Sequence, residues 1–156
     1  MSASPRVPYA RFNEIAPAAR QALLALGKAV DEAGLDKALT EIVKIRVSQI
    51  NGCAFCLALH LDIARKLDVP AWKLDLVAVW REAGVYSPRE MAALAWAEAL
   101  TTPSVSSDLD RLYAQVRDVF SETEAIFLTV AIGTINQWNR IAGGLGFSPL
   151  VAKPAG

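Results

Sequence analysis

Apolar residues recur three and four positions apart along most of the chain, the spacing that gathers them on one face of an α-helix. Pro17 to Glu32 shows it first: Leu23, Leu24, Leu26 and Val30 form a greasy side. Pro17 suits a first helical turn, and Gly34 marks the stop. A second helix is predicted from Lys37 to Gln49, carrying Leu39, Ile42, Val43, Ile45 and Val47. Its β-branched content invites a strand reading, but adjacent Ile42 and Val43 break strict alternation, while Glu41 and Lys44 fall on helical spacing. Asn51-Gly52 interrupts it. The third helix runs from Cys53 to Leu67 through Leu57, Leu59, Ile63 and Ala64, and Val69-Pro70 closes it.

A short amphipathic piece follows Pro70, passing Val79 and Trp80 and ending before Gly84. Ser87 and Glu90 stand at capping-box spacing, with Pro88 at the first helical position, ahead of a helix from Met91 to Leu100. Ser107 with Asp110 and Ser121 with Glu124 repeat that spacing, heading helices to Phe120 and to about Asn139, and Gly143-Gly144 reads as the final stop. Six or seven helices joined by short links predict an all-α fold, a compact helical bundle of one domain over residues 14–147. Residues 1–13 read as an N-terminal extension and 148–156 as a tail.

The length of 156 residues fits one domain. Apolar residues make up 53% of the chain, which points to apolar area buried between subunits and hence to a homo-oligomer. Lys plus Arg equals Asp plus Glu at 16 each, without basic clusters, which argues against nucleic acid as a partner. Met1 to Pro8 lacks the apolar run of a secretory signal. Ala125 to Ile135 is about half the length that spans a bilayer, so a soluble, cytoplasmic protein without a membrane partner is expected. The two cysteines give no disulfide framework and cannot complete a four-ligand zinc site, so neither a metal nor another cofactor is expected.

Those cysteines carry the chemistry. Cys53 and Cys56 lie three apart, on one side of a helix and within bridging range after modest adjustment. Following Asn51-Gly52, they occupy a first helical turn, where unpaired backbone N–H groups favour a thiolate. His60 is four residues beyond Cys56, so one face presents two sulfurs and an imidazole. Such a set suits attack on a peroxide followed by disulfide closure, or disulfide exchange with a partner protein. His60 would move the proton. If the two helices fold back antiparallel, Glu41 reaches His60 and orients its ring; otherwise Glu41 is a solvated residue pairing with Lys44. Helix-field proximity favours Cys53 as the attacking sulfur, proximity to His60 favours Cys56.

The segment Glu41 to His60, with Ser48-x-x-Asn51-Gly52-Cys53-x-x-Cys56-x-x-x-His60, resembles the signature of the AhpD-like alkylhydroperoxidases within the carboxymuconolactone decarboxylase superfamily. Weaker likeness extends over about residues 15–145, including Trp138-Asn139-Arg140. The resemblance implies an all-helical trimer or hexamer. It also implies reduction of a small organic hydroperoxide by the cysteine pair, with a dithiol or protein reductant, and a proton relay of Glu41, Cys53, Cys56 and His60. It gives Cys56 the peroxide-reacting role and Cys53 the resolving one. One position departs: family members often carry a histidine between the cysteines, where this chain has Phe55. Two other readings stand beside this one, a redox-active dithiol adaptor and a carboxymuconolactone-type decarboxylase. The decarboxylase would need a cationic pocket and no sulfurs. Of the remaining residues, Phe55 and Leu59 read as approach or core, and Trp80, Trp96 and Trp138 as core or interface anchors. Asn139 and Arg140 read as terminal caps, and Lys44 and Arg46 as solvated.

Overall fold

The computed structural model describes residues 4–104 and 108–151, and among these the regular structure is entirely helical. The helices are α1 (Tyr9–Ile15), α2 (Pro17–Glu32), α3 (Lys37–Ile50), α4 (Ala54–Lys66), α5 (Ala71–Asp75), α6 (Trp80–Ala83), α7 (Pro88–Thr101), α8 (Leu109–Val119) and α9 (Glu122–Leu145), with a 3-10 turn at Val77–Val79.

Local chemistry sets most of these boundaries. Both expected capping boxes form. Ser87 Oγ accepts from Glu90 N–H while Glu90 accepts from Ser87 N–H, and Ser121 and Glu124 do the same. Asp36 caps α3, its Oδ1 accepting from Ala38 N–H at 2.7 Å and Leu39 N–H at 3.2 Å. The expected Ser107–Asp110 box includes Ser107, which lies outside the described residues; Asp108 Oδ1 caps α8 by accepting from Arg111 N–H at 2.9 Å.

Two expectations about the elements need correction. The piece after Pro70 is not one helix but two short ones with a 3-10 turn between them. The last helix does not stop at Gly143-Gly144. It continues to Leu145 and ends where Gly146 turns left-handed at φ 73°, and Arg6 hydrogen-bonds the Gly143 and Gly144 carbonyls at 2.8 Å each. Residues 9–13 of the N-terminal extension are helical, as part of α1, which buries Phe12 among Tyr9, Trp138 and Phe147. A backbone bond from Val7 N–H to Leu145 O pins the chain leading into it.

Helix α3 is the axis of the molecule. It packs against α4, α7 and α9 and buries Leu39 through Val43 as well as Ile45, Val47 and Ser48. Leu39, Val43 and Val47 face one apolar cluster with Val30, Phe55, Leu128, Ile132 and Ile135. Ile42 and Ile45 face a second with Ala64, Leu74, Val77, Trp80 and Leu94. Adjacent Ile42 and Val43 therefore serve opposite sides of one buried helix, which is why alternation failed there. Trp80 and Trp96 are core anchors whose indole N–H groups reach Glu98 Oε1 at 2.9 Å and Thr129 Oγ1 at 3.0 Å. Arg46 is not solvated: its Nε lies 2.7 Å from Glu98 Oε1, tying α3 to α7.

Candidate active site

The turn between α3 and α4 builds the site. Gly52 adopts φ 64°, a conformation that costs a residue with a Cβ roughly 1–2 kcal/mol. Cys53 N–H then bonds back to Ser48 O at 3.0 Å, so α4 returns against α3. Cys53 is itself the N-cap of α4: its Sγ accepts from Cys56 N–H at 3.4 Å. Both thiols are free and buried, Cys53 6% exposed and Cys56 2%.

The two sulfurs titrate as one system. The hydrogen bond from the Cys56 thiol is the largest influence on Cys53; burial opposes it, but backbone N–H groups of Cys56 and Phe55 and the Asn139 side chain add to it, lowering Cys53 to about 6. Donating that same hydrogen bond pushes Cys56 up, and burial and the neighbouring charge push it further. The pair thus releases one proton readily and holds the second.

Glu41 is fully buried and its Oε2 lies 2.6 Å from His60 Nδ1. Lys44 Nζ reaches the other oxygen at 2.8 Å. Burial alone would raise this carboxyl, but the bonds and charges of His60 and Lys44 outweigh it and bring Glu41 down to about 2. Glu41 and Lys44 are therefore a pair in the interior, not on a solvated face. With Nδ1 committed to Glu41, the other ring nitrogen of His60 is the one left for proton exchange.

Cys56, His60 and Glu41 line a single cavity of about 370 Å³. Cys56 lines it, whereas Cys53, the N-cap of α4, does not. Tyr9, Leu23, Val30, Ile135 and Trp138 supply apolar walls from α1, α2 and α9, and Phe55 and Leu59 add to them from α4. Phe55 is held by Tyr9 and Phe147, with ring centroids 5.1 and 5.3 Å away.

Asn139 is the residue that reading the sequence misplaced. It lies well inside α9 and is 4% exposed. Its Nδ2 donates to Ser48 Oγ at 3.1 Å, its Oδ1 accepts from Asn51 Nδ2 at 2.9 Å, and hydrogen bonding from its side chain favours the thiolate on both cysteines. Asn51 also donates to Asn136 Oδ1 at 2.9 Å, so the turn before the cysteines is fixed to α9. The signal was present: Asn139 continues the buried stripe Leu128, Ile132, Ile135 and Ala142 as its polar member. Arg140, by contrast, is exposed on the far side of α9. Among the described residues no group of three or more His, Cys, Asp or Glu is arranged to hold a metal ion.

The all-helical bundle is an AhpD-core fold. The chain belongs to the carboxymuconolactone decarboxylase family, whose model matches residues 17–99. It is 36% identical to the uncharacterized protein YdfG of Bacillus subtilis over 143 residues, covering 92% of this chain and 95% of YdfG. Among solved structures, a protein of unknown function from Agrobacterium tumefaciens, described as a candidate AhpD antioxidant defence protein, superposes with a TM-score of 0.88. The identity there is 36%, over 96% of this chain and 100% of the other. An uncharacterized peroxidase-related protein from Ralstonia eutropha, with an alkylhydroperoxidase AhpD core, shares the fold at TM-score 0.77 and 24% identity, covering 89% of this chain and 74% of the other. Among the described residues no helix is long and apolar enough to cross a membrane.

Proposed function

We propose that the protein is a thiol-dependent peroxidase that reduces organic hydroperoxides through Cys56 and Cys53, with His60 and Glu41 as its proton relay. The observation that carries this reading is that Cys56 and His60 share one cavity wall, with Glu41 2.6 Å behind the ring. His60 takes one of the two thiol protons, and the Cys56 thiolate attacks the outer peroxide oxygen. An S–O bond forms, the O–O bond breaks, and His60 returns its proton to the departing alkoxide, giving the alcohol. The Cys53 thiol then attacks the Cys56 sulfenic acid; the S–S bond forms and the remaining thiol proton leaves with hydroxide as water. An external dithiol reduces the disulfide and restores both thiols.

The resting charge sits on Cys53, so this order costs one internal step: the Cys56 thiol passes its proton along the hydrogen bond between the sulfurs, and the charge moves to Cys56, the cysteine that lines the cavity. Burial of both sulfurs favours a small oxidant over direct exchange with a folded partner, and so disfavours the adaptor reading. Lysines in the cavity suit the acid substrate of a decarboxylase, a second reading that requires no sulfur. Steady peroxide consumption with a dithiol reductant, lost in Cys56→Ser, supports the peroxidase. A normal rate in Cys53→Ser/Cys56→Ser overturns it.

A further inference from the structure

The cavity is apolar over most of its wall but carries three lysines, Lys28, Lys37 and Lys44, against two carboxylates, Asp31 and Glu41. Glu32 beside Lys28 brings the charges into balance, but the ammonium donors are unevenly used. Lys37 Nζ is taken by Asp31, at 2.6 and 2.7 Å to the two oxygens, and Lys28 pairs at the exposed rim with Glu32 at 3.1 Å. Glu41 alone must serve the rest: one oxygen accepts from Lys44 at 2.8 Å with Lys37 at 3.5 Å, and the other meets His60. Lys44 therefore spends one of its three donors on a carboxylate that is already shared. Its side chain is only 14% exposed, so water serves little of the other two. A fixed ammonium with donors to spare in an apolar chamber favours an anionic acceptor with an apolar body.

We propose that the cavity selects amphipathic hydroperoxides bearing a single carboxylate. The carboxylate is held by Lys44, with Lys37 and Lys28 lining its approach, and the apolar body lies between α2 and α9. This rests on the reading of Cys56 as the peroxide-reducing sulfur, but the anion site itself is tested without turnover. The probes are 4-isopropylbenzoate and its methyl ester, which share one apolar body and differ in charge. Their affinities are measured by calorimetry on Cys53→Ser/Cys56→Ser, and turnover is compared on the para-carboxylate of cumene hydroperoxide and on its methyl ester.

The acid should bind about ten- to a hundredfold tighter than the ester, as expected for a charge-assisted hydrogen bond in a water-poor site. The preference should vanish in Lys44→Gln and return in Lys44→Arg. Because Lys44 also touches Glu41, the acid-to-ester ratio within each variant is the quantity read, which cancels changes in the relay or in the folded fraction. If Lys44→Gln gives no folded protein, Lys28→Gln/Lys37→Gln must lower the same ratio. Equal binding of acid and ester, or a preference that outlives these substitutions, overturns the proposal. If the acid binds preferentially but no peroxide is consumed, the peroxidase reading fails and the anion site stands. If both peroxides are reduced alike and the acid and ester bind equally, the reverse holds.

Discussion

Replacing Glu41 by Gln removes the one negative charge on which Lys44 and His60 converge, while keeping the volume and one acceptor oxygen. The side chain is fully buried, so water cannot substitute for it. Its carboxyl is brought from 4.5 to about 2, and such a depression corresponds to a stabilisation on the order of 3 kcal/mol at neutral pH. A second route gives the same size, since breaking a buried charged pair by removing one partner costs about 3–5 kcal/mol. The sign follows from proton binding. Between about pH 4.5 and pH 2 the unfolded chain binds a proton at Glu41 and the folded chain does not, so stability rises with pH through that window. The contribution is complete above 4.5 and is lost as pH falls through about 2. Urea unfolding of the wild type and Glu41→Gln across pH 2–8 reads both quantities. The variant should lose on the order of 3 kcal/mol at pH 7, the deficit should shrink below pH 4.5, and Lys44→Met added to Glu41→Gln should recover part of it. A loss under about 1 kcal/mol at pH 7, or parallel pH curves for the two proteins, would refute the argument.

Two further predictions bear on the sulfurs. Alkylation rate against pH should show one thiol with an inflection near 6, and Asn139→Ala should move it up toward about 8.5, since Asn139 favours the thiolate; an unmoved inflection would remove Asn139 from the site. Phe55→His puts a polar ring between Tyr9 and Phe147 at a position 4% exposed. It should cost about 2–4 kcal/mol in urea unfolding, and unchanged stability would mean that the aromatic cluster is not close-packed.

The helical class, the single cluster of chemical residues and most helix limits were legible in the chain, because each rests on short-range terms. Pro17 at a helix start, Ser87 with Glu90, Ser121 with Glu124, and the spacing of Cys53, Cys56 and His60 all act within one or two turns of backbone. What the sequence left open was which helix faces meet. Glu41 is nineteen positions from His60, and its environment, solvent or core, depends on α4, α7 and α9 enclosing α3 from different sides. Asn139 reaches the cysteines only because α9 crosses the Asn51-Gly52 turn, and α1 forms part of the cavity only because Phe12 finds partners more than a hundred residues away. Periodicity says that a face is apolar, but a lone polar residue on that face is buried or exposed according to what packs on it. That is a long-range property of the folded chain, and here it brings Glu41 to His60 and Asn139 to the turn before the cysteines.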